Sequence, residues 1–283
     1  MTRIIGRAGH ASTGVDLAGA EVLADATQPS GELMGLVREA GIVGVALPEP
    51  ATSTAIAWLL DAAPAGAILI STASVQGPAH RLARSREERC ALVGVDPMFA
   101  PSLATAGRTV LLIADGPRDR AAARTIRAWL QAEGAVTRRL SPDQHDRAIG
   151  LLQTLPHAAI LATARVIAES GLDPSVLADI APPPARLMLA MAARMLAARP
   201  HVYHDIQATA HAESVRGELA RALARLGVAA AAGPDGFAAA QAQLARLLDP
   251  ILADSAGQAA RAYGLFGDPG AAPSGSRTDA EPV

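Results

Sequence analysis

The sequence contains no lysine: every one of its 25 Lys/Arg positions is arginine. A Schiff-base lysine and the phosphate-gripping lysine of a P-loop are therefore both excluded. Carboxylate recognition stays open, because each guanidinium offers a rigid planar fork of donors. Cysteine is nearly as scarce. Cys90 is the single thiol, which rules out an internal disulfide and a zinc site built from several cysteines. His201 and His204 stand three apart with no third ligand beside them and read as surface residues, so no metal site is expected. Three Phe, two Tyr and two Trp are too few for base stacking. The bases are spread along the chain, and the densest cluster, Arg81, Arg84, Arg86 and Arg89, is offset by Glu87 and Glu88 within a net charge of -2. That is a solvated helix face rather than a nucleic-acid footprint. No uninterrupted apolar run reaches the length of a membrane span, and the opening MTRIIGRAGH lacks the apolar centre of a signal peptide. These absences point to a cytoplasmic protein that engages neither nucleic acid nor membrane.

Hydrophobic residues make up 50% of the chain and aromatics 2%, so the core is built from Ala, Leu, Val and Ile, with Trp58 and Trp129 as rare large fillers. Two domains suit 283 residues. In residues 1–140, short continuous apolar runs alternate with helical segments. GIVGVAL (41–47) stops at Pro48-Glu49-Pro50, a helix follows through Ala55, Ile56, Trp58, Leu59 and Leu60, and AILI (67–70) stops at Ser71-Thr72. After a basic helix come ALVGV (91–95), TVLLIA (109–114), a helix around 121–132 and a last strand over 135–140. Continuous rather than alternating apolar strands, separated by helices, predict an α/β domain with a parallel sheet covered on both faces.

From Ser141 the pattern is helical only. Ser141-Pro142-Asp143-Gln144 spells a capping box with Pro at the first helical position. The helix it starts carries His145, Asp146 and Arg147 and runs to Pro156-His157, where the proline removes a backbone donor and bends it. Further helices are expected over 185–198, 212–226 and from Phe237 through Leu248 toward Tyr263. The expected organisation is a sheet domain over 1–140, a helical domain over 141–268, and a Gly, Pro and Ser rich disordered tail over 269–283.

One acid stands out. Asp96 follows the apolar run 91–95 directly and precedes Pro97, which cannot donate to a sheet ladder, so it lies at a strand end. Ligands of open parallel sheets bind beyond the carboxyl ends of the strands, which makes Asp96 a site candidate. Its plainer reading is an acid that caps the following turn.

Four blocks together resemble the prephenate dehydrogenase family: Asp96-Pro97-Met98-Phe99; Ser71-Thr72-Ala73-Ser74-Val75; His145-Asp146-Arg147 with residues 153–157; and APPPARLMLAMAARMLAARPHVYHDI (181–206). The similarity covers most of residues 41–266. It implies an NAD(P)-dependent oxidative decarboxylation of a cyclohexadienyl pyruvate, in which hydride leaves ring C4, CO2 leaves C1 and the ring becomes aromatic. The family usually has histidine before the Pro-Met-Phe motif, bonded to the 4-hydroxyl. Here Asp96 stands there, and a carboxylate pairs with an ammonium better than it imitates neutral imidazole. The resemblance thus points to a substrate with a C4 amino group, 4-amino-4-deoxyprephenate, converted to 4-aminophenylpyruvate as in antibiotic pathways.

Taken residue by residue, the resemblance makes Asp96, Ser74 and His157 catalytic, with Ser74 able to hydrogen-bond the C4 substituent. It places a substrate carboxylate on Arg194, with Arg186 as second anion contact and His145 near the substrate. By default Arg194 reads as an exposed helix arginine and His145 as a structural residue near its helix cap, and His157 also reads as a packing histidine bonded to backbone. Cofactor contacts are sought at Gly6, Gly9, Pro48 and Gln76, the last standing where relatives often carry a base. The resemblance makes 1–140 a Rossmann-like domain truncated at its first strand and helix, and 141–268 a helical substrate and dimerisation domain that forms a homodimer, with the substrate expected in a cleft that has Asp96 and Ser74 on the sheet side and His157 and Arg194 on the helix side.

The front of the chain departs from the family. TRIIG (2–6) is followed by RAGHASTG, whose glycines Gly6, Gly9 and Gly14 do not have GxGxxG spacing. Too few residues precede 24–29 for a strand, a phosphate loop, a three-turn helix and a second strand. Three readings follow: a dehydrogenase with an abbreviated front or a start upstream of Met1; a homologue without nucleotide binding that decarboxylates or eliminates without redox chemistry; and a non-catalytic helical dimer module. The ordered set Ser74, Asp96, His157 and Arg194 favours a small-molecule site, and the first reading is preferred.

Overall fold

The computed structural model describes residues 11–16, 20–86, 89–100, 102–198, 200–209 and 211–264. Gly6 and Gly9, the run 2–6, Glu87 and Glu88, and the segment 269–283 lie outside them. In chain order the elements are β1 (Val15–Asp16), β2 (Val22–Leu23), α1 (Gly31–Glu39), β3 (Ile42–Val45), α2 (Glu49–Ala62), β4 (Ile68–Ser71), α3 (Gly77–Arg84) and β5 (Ala91–Pro97). There follow β6 (Thr109–Ile113), α4 (Pro117–Ala132), β7 (Val136–Leu140), α5 (Pro142–Ile149) and a π-helical turn over Gly150–Thr154. The remaining helices are α6 (Leu155–Ala168), α7 (Pro174–Ile180), α8 (Pro183–Ala197), α9 (Pro200–Gln207), α10 (Ala212–Ala231) and α11 (Gly233–Gly264).

The chain divides into two units, residues 1–152 and 153–283. In the first, β3 to β7 form one sheet in sequence order. Successive side chains of a strand face opposite sides, and the core divides accordingly. Leu69 and Leu92 pack with Val37, Ile56 and Leu59 on one face. Ile70, Val93 and Val95 pack with Leu112, Ile126 and Leu130 on the other. Apolar side chains on both faces explain why β4 and β5 read as unbroken apolar runs.

The sheet is mixed rather than wholly parallel. β3, β4 and β5 are parallel, β6 runs antiparallel to β5 with Gly94 opposite Ile113, and β7 is again parallel to β6. The reason is the connection. The described residues between 98 and 108 carry no helix, and the chain turns back beside β5, whereas α2, α3 and α4 each supply the crossover a parallel neighbour needs. Ahead of β3, β1 and β2 pair with each other as a separate two-stranded sheet, Val15 opposite Val22.

In the second unit, Ile160, Ala192 and Met195 form a small core joined by Leu161, Met188, Met191 and Tyr203. Thr154 ties the end of the π turn to α9: its Oγ1 donates to Ile206 O at 3.3 Å, and its carbonyl accepts from Gln207 Nε2 at 2.9 Å. The π turn immediately precedes Pro156, so the local response to the missing proline N–H is a widened turn, a frequent companion of functional sites. Large apolar side chains on this unit stay uncovered in one chain: Val166, Leu196 and Val228 are each 71% exposed.

Contrary to the sequence reading, one helical stretch, residues Pro142–Ala168, is long and apolar enough to cross a membrane on length and composition alone. Its Ala and Leu raise the average across interruptions that break each apolar run. The capping box and the buried His145 and Asp146 at its start fit globular packing.

Candidate active site

The capping box fixes where α5 starts. Ser141 Oγ accepts from Gln144 N at 3.2 Å, and Gln144 Oε1 accepts from Ser141 N at 2.9 Å. With that phase set, the buried face of α5 is Pro142, His145, Asp146 and Ile149, the i, i+3, i+4, i+7 pattern of a core-facing stripe. Two of its four members are polar and titratable. Such burial requires partners.

Asp146 finds three. Its Oδ1 accepts from Gln76 N at 2.8 Å, its Oδ2 accepts from Gly77 N at 2.8 Å, and Oδ1 also lies 2.9 Å from His145 Nδ1. The two backbone donors open α3, so the carboxylate serves as cap for a helix remote in sequence. Burial pushes the Asp146 carboxyl up, but the hydrogen bonds from His145, Gln76 and Gly77 outweigh it and hold it below the usual carboxylate range. A carboxylate only accepts, so His145 Nδ1 carries a proton and donates. The other ring nitrogen, Nε2, lies 3.1 Å from Oδ2 of Asp96 at the end of β5. Burial pushes the His145 pKa down, and the hydrogen bonds to Asp146 and Asp96 raise it to a net value above the ordinary histidine range. His145 is fully buried, while Asp96 keeps 14% of its side chain exposed. The result is a chain of Asp146, His145 and Asp96 that surfaces only at Asp96.

The loops leaving β3, β4 and β5 emerge at one end of the sheet, because these strands are parallel and in register, Val45 beside Ser71 and Ser71 beside Gly94. Pro48, exposed at the start of α2, and Ser74, half-buried after β4, sit on these loops with Asp96. Gln76 turns its side chain inward: Nε2 donates to Ala73 O at 2.7 Å, and Oε1 is buried without a partner among the described residues. It lies against Gly94, where a Cβ would meet Oε1 at 2.5 Å, so β5 needs glycine at that point. The Gln76 side chain thus braces the loop, and its backbone N–H holds Asp146. A second buried histidine, His80 on α3, has an unpartnered Nε2, and burial lowers its pKa to about 4. Its 3.9 Å approach to Asp119 is therefore not an ion pair near neutral pH.

In the helical unit, the rings of His157 and Tyr203 meet edge to face, 5.0 Å between centroids at 85°. Burial, and then the charge of Arg194, lower the His157 pKa and keep its imidazole neutral. Arg194 is exposed on α8, and Arg186 donates from Nε to Ala181 O at 2.8 Å, tying it to the start of that helix. Sequence reasoning gave no role to Asp146 or Tyr203. The signal for Asp146 was present: counting from the capping box places it on the buried stripe. No comparable pattern marks Tyr203.

A dinucleotide site needs a glycine-rich turn from strand to helix, to present backbone N–H groups to a pyrophosphate. Ahead of β3 the described residues offer two-residue strands paired with each other and no such turn, and therefore do not make the cradle. A cavity of about 570 Å³ lies instead at the amino ends of β4 and β5, lined by Gly66, Ile68, Arg89, Ala91 and Arg118, away from Asp96.

Comparison with known proteins shows the family. Residues 141–226 match the family model described as prephenate dehydrogenase, dimerization domain. The chain is 36% identical over 253 residues to the 4-amino-4-deoxyprephenate dehydrogenase of Streptomyces pristinaespiralis, covering 86% of this chain and 84% of that protein. It is 31% identical over 172 residues to the T-protein of Enterobacter agglomerans, covering 60% of this chain and 45% of that one. Among solved structures, the A. aeolicus prephenate dehydrogenase in complex with hydroxyphenyl propionate and NAD+ superposes with a TM-score of 0.61 at 16% identity, over 90% of this chain and 92% of that one. The Synechocystis arogenate dehydrogenase gives 0.59 at 16% identity, over 81% and 82%. The two structures establish the fold, and with the Streptomyces relative they lead to one conclusion: the chain belongs to the prephenate dehydrogenase family.

Proposed function

We propose that this protein catalyses the NAD(P)-dependent oxidative decarboxylation of a cyclohexadienyl pyruvate, with 4-amino-4-deoxyprephenate as substrate and 4-aminophenylpyruvate as product. The observation that carries the reading is Asp96: a carboxylate at a strand end, backed by a buried imidazole at 3.1 Å, in a chain 36% identical to a 4-amino-4-deoxyprephenate dehydrogenase. A carboxylate exposed on one side only is suited to an ammonium, since a charge-assisted hydrogen bond is about twice as strong as a neutral one. The oxidation needs a hydride acceptor. NAD(P) is assigned to that part from the dehydrogenase relatives, one of which is described with NAD+.

In this proposal Asp96 binds the C4 ammonium and takes one proton from it. The freed nitrogen lone pair then favours departure of hydride from C4, while loss of CO2 from C1 completes the aromatic ring. Ser74 orients the C4 substituent, Arg194 grips a substrate carboxylate through its planar fork, and Arg186 is a second anion contact. His157, neutral beside Tyr203, is a hydrogen-bonding partner for substrate. The active form is a homodimer built on the helical unit, supported by the dimerization-domain match and by the uncovered side chains of Val166, Leu196 and Val228.

The test is NAD(P)H formation, followed by absorbance, with each nucleotide paired in turn with 4-amino-4-deoxyprephenate and prephenate. Turnover of the amino compound above prephenate is expected. Failure to reduce either nucleotide with either compound would overturn the proposal.

A further inference from the structure

We infer that His145 is a positioning residue and proton store behind Asp96: its Nε2 receives the proton that Asp96 takes from the C4 nitrogen, while Asp146 holds the ring. The inference rests on the amine reaction proposed above and adds to it the route by which the proton leaves the reacting group.

Three observations carry it. A histidine needed only for packing is satisfied by one carbonyl or carboxylate, but His145 meets a carboxylate at each ring nitrogen, 2.9 Å at Nδ1 and 3.1 Å at Nε2. The two carboxylates are unequal. Asp146 also accepts from Gln76 N and Gly77 N and is 6% exposed, whereas Asp96 is 14% exposed. Finally, the Nδ1 proton is fixed by Asp146, so a neutral His145 turns its Nε2 lone pair toward Asp96. The arrangement has one open acceptor, on the side facing the reacting group.

The transfer balances without an outside reagent. An N–H bond of the ammonium breaks and an O–H bond forms on Asp96; that O–H bond then breaks and an N–H bond forms at Nε2. No electrons change hands. Turnover must therefore begin with neutral His145 and falls as pH drops through its pKa. The charged and titratable groups around this imidazole are Asp96 from β5, Asp146 from its own helix, and His80 and Arg81 from α3. Arg81 lies close to Asp146: a Cβ on Gly77 would fall 2.7 Å from Asp146 Oδ2 and 2.9 Å from Arg81 Nη1. The two carboxylates dominate and raise the histidine above 6.5.

The experiment pairs two readouts on the full chain: kcat against pH with the amino substrate, and titration of the His145 imidazole by NMR of histidine-labelled protein, its signal assigned by its loss in His145→Gln. In wild type the acid limb of kcat is expected to coincide with the imidazole midpoint. In Asp146→Asn both move down together. In His145→Gln the acid limb is lost and kcat falls by about a hundredfold, the lower end of the usual scale of proton-transfer assistance, with KM changed less than kcat. If His145→Gln does not fold, the signal is assigned instead by the loss of its Nδ1 partner in Asp146→Asn, and the coincidence in wild type and the joint shift in that variant decide. A limb that ignores the imidazole midpoint, or a folded His145→Gln with unchanged rate and limb, overturns the proton store alone. Absence of turnover in wild type overturns the underlying reaction as well.

Discussion

Truncating Asp146 to alanine removes one carboxylate and orphans three donors. Two are the backbone N–H groups that open α3, each 2.8 Å away, and the third is His145 Nδ1 at 2.9 Å. Hydrogen bonds to a charged acceptor contribute about 1.5–3 kcal/mol each. They share one carboxylate and are not additive, so the cost is closer to that of breaking a buried ion pair, about 3–5 kcal/mol. At about 2–4 °C per kcal/mol, the melting temperature should fall by about 6–20 °C. The loss should depend on pH. Asp146 has a lowered folded pKa, so its contribution is present above 3.8 and lost as pH falls through the folded value. His145 has a raised folded pKa, so its contribution is full below 6.5 and lost as pH rises through the folded value. The gap between wild type and Asp146→Ala is therefore widest between these limits. Trp58 and Trp129 both belong to the first unit, so urea melts followed by tryptophan fluorescence report on the unit that holds Asp146. An unchanged midpoint, or a gap indifferent to pH, would refute the assigned network.

Other perturbations probe its surroundings. Gly94→Ala places a Cβ 2.5 Å from Gln76 Oε1 and 2.8 Å from Ile113 Cβ, so the same fluorescence melts should show a loss of about 1–3 kcal/mol, the range for overpacked cores. His80 has its pKa lowered to about 4 by burial, so wild-type stability falls as pH drops from 6.5 toward 4, by up to roughly 3 kcal/mol. His80→Leu should flatten that slope, and an equally steep acid loss in the variant would contradict the assignment. Ser141→Ala removes half of the capping box and should cost about 1 kcal/mol in the same melts. Light scattering at micromolar concentration should give twice the chain mass, and a monomer would count against the dimer.

Much of the fold was legible because it follows from local chemistry. The runs at 42–45, 68–71, 91–97 and 109–113 are strands since unbroken apolar sequence between turn formers suits a sheet covered on both faces. The capping box read from Ser141 and Gln144 is present with both its bonds. The direction of β6 was misread, because the apolar pattern of a buried strand is the same in either direction. The informative feature was the connection over 98–108, eleven residues interrupted by Pro101 and Gly107, short of the dozen or more that a parallel crossover needs. The short strands β1 and β2 went unread, since two residues carry no periodicity, and the nine-residue helix α1 went unread as well.

The site was legible one member at a time. Asp96 announces itself by Pro97 and by the apolar run before it. Its link to His145, 49 positions later, is a tertiary fact that no local pattern encodes. Asp146 was within reach of the capping-box count but was given no role. Adjacent helical residues do not face each other, yet the positions i+3 and i+4 share one stripe, so both enter the core and the imidazole bends back to its neighbour.

The most direct test of the account is the ratio of kcat/KM for 4-amino-4-deoxyprephenate to that for prephenate, measured for wild type, Asp96→Asn and Asp96→His. The account predicts a ratio well above one in wild type, a collapse of amine turnover in Asp96→Asn with the fold retained, and a shift toward prephenate in Asp96→His. Equal amine turnover in wild type and Asp96→Asn, with no gain on prephenate in Asp96→His, would contradict it.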